Sequence, residues 1–207
     1  YYKVKLDKSR VIAEMTTADR SGILRFTFPA TDSAYVVTDL HHVLRWDVVW
    51  SNLRVLNDTT VTGYHVVNGW AKDRHLYYAA RYSRAFDDYG IMKDGQPVIY
   101  NGYRFRSRSE AAGKNLQFYA RYRIRRKEEI MVKVALSAVS AENALKNLDT
   151  EIPGWDFEDV HRQTREKWNR ELSRIEIEGS DETKETFYTA MYHAFLAPTL
   201  YQDVNGE

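Results

Sequence analysis

The chain has no cysteine among its 207 residues, which excludes disulfide cross-links and thiolate ligands or nucleophiles and fits either the periplasm or the cytosol. It has no apolar run long enough to cross a bilayer as a helix and no leader of the signal-peptide kind. Tyr1 is not a natural start, so the natural N-terminus is expected upstream and the lack of a leader excludes nothing. Neither charge is in excess: 30 Lys and Arg against 29 Asp and Glu leave +1, too weak a field for a dedicated nucleic-acid binder. No Gly-rich phosphate loop occurs and no serine stands in a nucleophile elbow. Repeats, low-complexity tracts and a strand–helix–strand rhythm are also missing, which argues against a doubly wound parallel sheet.

What is present is a strand-rich body. Apolar residues make up 43% of the chain, enough for a core, and 15 tyrosines lift the aromatic share to 14%. Tyrosine packs by its ring and keeps a polar tip. Such content suits either half-buried sheet positions or a sugar-binding face. Tyr2, Val4 and Leu6 alternate with Lys3 and Lys5, the period of a half-buried strand. Further strands are predicted over 11–16, 24–28, 35–40, 61–67, 76–82, 103–108, 118–124 and 130–137, separated by turn signals such as Asn68-Gly69 and Asp94-Gly95. Many short strands over residues 1–139 predict a large antiparallel β-sandwich or barrel.

Residues 140–178 change character and read as a helical linker. Ser140 can cap a short helix with Ala144, Leu145 and Leu148 turned inward, and Pro153-Gly154 breaks it. Asp156 can cap a second helix whose stripe is Phe157, Val160, Thr164, Trp168 and Leu172. Arg174 to Glu178 suggests one more strand. Ser180 or Asp181 then caps a third helix, apolar over much of its circumference, that Pro198 ends; a helix of this kind expects burial in a helical domain. Residues 179–207 therefore read as the start of a second, truncated domain, and the chain as a piece of a larger protein.

Candidate sites are few. His41 and His42 are adjacent, so on a strand they point to opposite faces and do not share an ion easily. The other histidines show no ligand spacing, and no metal site is expected in this chain. Trp46 and Trp50 would share a strand face and could form a sugar platform, or simply pack in the sheet; Trp70 poses the same choice. Trp155 and Trp168 read as linker anchors. Arg104, Arg106 and Arg108, with Arg121, Arg123 and Arg125, could line a basic stripe for an anionic ligand or form a solvated face paired with Glu128 and Glu129. No pair of carboxylates is singled out for glycosidase chemistry. Asp203, in the turn after the third helix, is the exception: it lies where helix-end loops build sites, and it also suits a plain turn-forming role.

Several stretches carry a family resemblance. They include Ile12-Ala-Glu-Met-Thr-Thr-Ala-Asp-Arg20, Gly22-Ile-Leu-Arg-Phe-Thr-Phe-Pro29, Leu76-Tyr-Tyr-Ala-Ala-Arg-Tyr-Ser-Arg-Ala-Phe86, Val132-Lys-Val-Ala-Leu-Ser-Ala-Val-Ser140, Trp168-Asn-Arg-Glu-Leu172, Phe187-Tyr-Thr-Ala-Met-Tyr-His193 and Asp203-Val-Asn-Gly206. The chain resembles the N-terminal part of glycoside hydrolase family 92, the calcium-dependent exo-α-mannosidases of bacteria. The match spans nearly the whole chain and is weakest over residues 87–117.

The resemblance implies a β-sandwich, linker helices and the first helix of an (α/α)6 barrel. The implied enzyme is periplasmic or secreted and removes α-linked mannose, α-1,2 foremost, from N-glycans or mannan by inversion, with a Glu acid, an Asp base and calcium. In the family those groups belong to the barrel, beyond Glu207, so no catalytic residue and no metal ligand is carried over. Residues 1–207 alone are expected to be inactive and to bind no calcium. Asp203 is carried over as a substrate-binding residue, and Arg20, Arg25, Trp168 and His193 as framework that orients the domains. The implied partners are α-mannoside glycans and the rest of the catalytic domain, with no nucleic acid and no membrane. The alternative function is a non-catalytic carbohydrate-binding sandwich.

Overall fold

A computed structural model describes residues 1–98, 109–197 and 199–207. The strand expected at 103–108, its arginine row and Pro198 lie outside the described residues. Within them the chain forms twelve strands and then three helices: β1 (Tyr2–Lys5), β2 (Ile12–Thr17), β3 (Ser21–Phe28), β4 (Thr31–Asp39), β5 (Val48–Asn57), β6 (Thr60–Val67), β7 (Arg74–Tyr82), β8 (Asp88–Lys93), β9 (Gln96–Pro97), β10 (Glu110–Gly113), β11 (Leu116–Ile124), β12 (Glu128–Ser137), α1 (Ala141–Glu151), α2 (Phe157–Leu172) and α3 (Asp181–Phe195).

Every strand pairing is antiparallel. An eight-stranded sheet runs β1-β2-β3-β12-β7-β6-β5-β10, and a four-stranded sheet runs β4-β11-β8-β9. They pack face to face as the expected sandwich. Leu53, Val61, Tyr82, Ile130 and Val132 of the large sheet meet Val36, Phe118, Ala120 and Tyr122 of the small one. Phe86 stands edge-on to Tyr82, Phe118 and Tyr122 at centroid separations of 5.0, 5.5 and 6.3 Å, the arrangement that ring quadrupoles favour.

Strand β5 escapes the sequence reading because its period is broken. A bulge between Val48 and Trp50 shifts the register, so the alternation of Val48, Leu53 and Val55 loses phase. Strands β8, β9 and β10 were likewise not expected: they are short and carry Asp, Gly, Gln, Pro and Glu, types depleted in strands. In the other direction, Arg174 to Glu178 forms no strand.

Helices cover part of the outer face of the large sheet. Ala144 and Leu148 of α1 sit on Ala79 and Ala135, where small side chains let helix and sheet approach closely. Phe157 and Val160 of α2 sit on Ile23 and Ile152. The expected caps hold each helix: Ser140, Asp156 and Ser180 accept the amides of Asn143, Asp159 and Thr183. Lys133, on the outer face of β12, ties the end of α1 to the sheet. Its buried ammonium donates to the carbonyls of Ile152 at 2.7 Å and Gly154 at 3.2 Å, and lies 4.5 Å from the centre of the Trp155 ring. A cation placed there satisfies carbonyls that a helix C-terminus leaves free.

Arg25 performs the matching task for α2. Its guanidinium donates to buried Glu14 at 2.9 Å, reaches Glu158 at 2.9 Å, and lies 4.2 Å from the centre of the Phe157 ring. α3 behaves differently. It leans on α2 through Trp168 and Tyr192, 4.6 Å between ring centres, and only Met191 is buried. The burial its sequence calls for is not provided by the described residues.

Glu14 gives a direct test of the α2 attachment. The Arg25 hydrogen bond, opposed by burial and aided by the Tyr1 hydroxyl, holds its carboxyl at about 2 instead of 4.5. A depressed carboxylate contributes stability that is full above its unfolded pKa and is lost as pH falls through the folded one. Glu14→Gln is expected to cost about 2–3 kcal/mol at pH 7. It should also flatten the acid limb of stability between pH 4.5 and 2, measurable by urea unfolding at a series of pH values.

Candidate functional site around Asp203

After α3 the chain returns to the sheet and places a tight turn, residues 203–207, against α1 and the end of β12. The turn closes through the Asp203 amide donating to the Glu207 carbonyl at 2.9 Å and the Gly206 amide donating to the Asp203 carbonyl at 3.0 Å. Gly206 has φ of 90°, a value that favours glycine.

The Asp203 side chain points inward and is 5% exposed. Ser137 Oγ donates to its Oδ2 at 2.6 Å, Asn143 Nδ2 to the same oxygen at 3.0 Å, and Asn147 Nδ2 to Oδ1 at 2.7 Å. Asn147 also accepts the Val204 amide at 2.9 Å and donates to the Leu136 carbonyl at 2.9 Å. Asn143 adds a bond to Glu207 Oε2 at 2.8 Å. Burial pushes the Asp203 carboxyl up, but the three donors and the charge of Arg20 outweigh it and hold the group below the usual carboxylate range.

Arg20 closes the frame from the other side. It donates through Nε to the Gln202 carbonyl and through Nη1 to Glu151 Oε1 at 2.7 Å, while its own amide reaches Glu151 Oε2 at 2.9 Å. Ser21 Oγ gives Glu151 a further bond at 2.8 Å. Beside this frame lies an open cleft of about 480 Å³, lined among others by Asp19, Arg20, Arg74, Tyr201 and Asp203. A second cleft of about 690 Å³, lined among others by Lys167, Trp168, Glu171 and Leu200, adjoins it along α2. Cationic and carboxylate groups around an open, partly apolar cleft suit a polyhydroxylated ligand.

Of the residues carried over as framework, Arg20 joins the sheet to α1 and the turn, Arg25 joins it to α2, and Trp168 joins α2 to α3. His193 is exposed, with its ring centre 5.7 Å from that of Tyr192. The tryptophan expectation needs correction. Trp46 precedes β5 and rests on Gly69, while Trp50 lies on β5 beyond the bulge, so the two do not share a strand face. Trp70 is 99% exposed. Among the described residues Arg121 pairs with Asp88 at 3.5 Å, and Arg84, which is not part of the expected row, takes Glu128 at 3.0 Å. Sequence reasoning missed Asn143 and Asn147. Their signal was two carboxamides four residues apart, beside Ala144 and Leu148 on the inward face of a helix.

Comparison with known proteins agrees in extent. Residues 1–137 match the model of the glycosyl hydrolase family 92 N-terminal domain, and residues 143–207 that of the family's catalytic domain. The match to the catalytic model thus takes in most of α1, all of α2 and α3, and the Asp203 turn. A family GH92 α-mannosidase of Bacteroides thetaiotaomicron superposes with a TM-score of 0.93 at 42% identity, over 98% of this chain and 27% of that one; its complex with mannoimidazole gives the same values. An inverting mannosidase of the same organism and family shares the fold, with a TM-score of 0.84 at 23% identity over 99% of this chain and 27% of that one. An uncharacterized secreted glycosidase of Arthroderma benhamiae is 27% identical over 237 residues, 100% of this chain and 29% of that protein. The chain thus spans between a quarter and a third of the length of these relatives.

The Asp203 frame is tested at Asn147. Asn147→Ala leaves Asp203 Oδ1 and the Val204 amide without their partner, and is expected to cost about 2–3 kcal/mol. The loss should appear in urea unfolding and as faster hydrogen exchange at Val204. Because the Asp203 carboxyl is held below its ordinary 3.8, the turn should stay protected at neutral pH and open only as pH falls beneath that value.

Proposed function

The chain belongs to glycosyl hydrolase family 92, and from that premise we propose that it is the sandwich, linker and first barrel helix of an exo-acting α-mannosidase. The observation that carries this reading is the likeness to an α-mannosidase over 98% of the chain, with the Asp203 turn inside the match to the family's catalytic domain. The substrate class is α-linked mannose, with α-1,2 linkages of N-glycans or mannan foremost, and the bacterial protein works in the periplasm or outside the cell. In this reading residues 1–139 are the sandwich, 140–178 the linker and 179–207 the start of the barrel.

The chemistry we assign is single displacement with inversion, in which an acid protonates the leaving oxygen while a base activates water on the opposite face of the sugar. A general acid needs a raised pKa. The described carboxyls with shifted pKa values (Glu14, Asp87, Asp203 and Glu207) are all shifted down. We place the acid outside residues 1–207, as the family resemblance implies. Among the described residues no three His, Asp or Glu gather into a ligand set, so a calcium ion at the pocket would need ligands from elsewhere in the polypeptide to complete its shell.

The part of this chain is then positional. Asp203 is the residue of this chain we place at the mannose pocket. With both oxygens engaged by Ser137, Asn143 and Asn147, it serves substrate by fixing the turn 203–207 at the pocket edge.

Mannose release from α-1,2-mannobiose, with and without calcium, separates the outcomes. A longer product of the same gene should release mannose only with calcium, and residues 1–207 alone should release none. Release by residues 1–207 would overturn the placement of acid and base. Release by neither, across other α-mannosides as well, would remove the mannosidase reading.

A further inference from the structure

The two sheets are unequal, eight strands against four, and their edges are not alike. Natural edge strands are kept short or carry Lys or Pro, because a long free edge recruits other strands. β1 is four residues long with Lys3 and Lys5, β10 is four residues, and β9 is two residues ending on Pro97. β4, the remaining edge, runs nine residues and contains neither Lys nor Pro.

Its backbone is free along one side. The Leu40 amide donates to the Leu116 carbonyl at 3.0 Å. Antiparallel alternation then sends the amides of Val36 and Thr38 toward β11 and those of Tyr35 and Val37 away from it. β4 pairs with no other strand among the described residues.

The surface beside that edge is apolar and half covered. Register places Tyr2, Val4, Met15, Leu24 and Phe26 on the same face of the large sheet as the core residues Ile130 and Val132. Yet Tyr2 is 56% exposed and the other four are only half-buried. Next to Phe26 a groove of about 510 Å³ runs along β4, lined by Leu6, Val11, Phe26, Phe28, Tyr35 and Val37 among others.

We propose that β4 is an interior strand of the whole protein, and that its free edge pairs with a further β-strand from the part of this polypeptide outside residues 1–207. An apolar groove walled by unpaired amides and carbonyls matches an extended strand. Such a strand hydrogen-bonds along one side and sends every second side chain into the groove. A helix or a small apolar molecule would fill the groove and leave Tyr35 and Val37 unpaired. A chain that spans about a quarter of a relative's length leaves ample sequence to supply the strand. The inference rests on strand geometry, so it stands or falls apart from the mannosidase reading.

Amide hydrogen exchange tests it on a longer product of the same gene, with residues 1–207 in parallel. In the longer protein Tyr35 and Val37 should be as protected as Val36 and Thr38. In residues 1–207 they should exchange on the order of 100-fold faster than those neighbours. Val37→Pro removes no bond to β11, so it should lower the Tm of the longer protein by several degrees more than that of residues 1–207. Fast exchange at Tyr35 and Val37 in the longer protein, or equal Tm losses, would overturn the proposal. So would protection in residues 1–207 that grows with concentration, which would make the partner a second copy.

Discussion

A carboxylate withdrawn from water must be held by hydrogen bonds, and the arrangement of the C-terminal third depends on how Asp203 meets that demand. Ser137 comes from the last residue of a central strand, and Asn143 and Asn147 come from successive turns of the helix that follows it. One side chain therefore fixes three things at once: where β12 ends, how α1 is rotated on the sheet, and where the chain returns after α3. The cost of leaving such a group unpaired is of the order of 1–3 kcal/mol or more for a charge, so the three elements are coupled in position.

The attachment of α1 is reinforced from both ends by the same physics with opposite charge. Near its start the carboxamides of Asn143 and Asn147 face the Asp203 carboxylate; past its end the Lys133 ammonium takes the free carbonyls of residues 152–154. Glu151, on the last turn, receives the Arg20 guanidinium. The helix is thereby fixed against sliding as well as rolling. The apolar contact of Ala144 and Leu148 with Ala79 and Ala135 alone would leave sliding open, because alanine surfaces are smooth.

How much of this could be read from the sequence follows from the range of each interaction. Helix caps are local, so Ser140, Asp156 and Ser180 were readable together with the inward faces they introduce. Strands with unbroken alternation were readable too, and with them the mainly β, sandwich-first order. β5 was not, because a single bulge at Val48–Trp50 reverses which residues face inward. The Asp203 site was half legible. Its position in a turn is local information, but its inward direction depends on carboxamides 56 and 60 residues upstream. Two asparagines on the buried face of a helix mark a polar partner without naming it. Trp46 and Trp50 show the same limit: four residues apart implies a shared face only if both lie on one regular strand.

Carboxamides at this position have a consequence that charged residues would not. Asn147 donates to Asp203 and Leu136 while accepting from Val204, so it serves side chain, strand end and turn backbone with one planar group. A lysine could have neutralised Asp203, but it has no acceptor for the Val204 amide, and its long flexible stem fixes a point and not a plane. An aspartate could have accepted that amide, but it would repel Asp203. A neutral group with both donor and acceptor sites leaves the carboxylate its charge and still sets its orientation. It follows that the turn is positioned by geometry more than by net electrostatics, and its placement should respond little to salt, in contrast to exposed pairs such as Lys167 with Asp19.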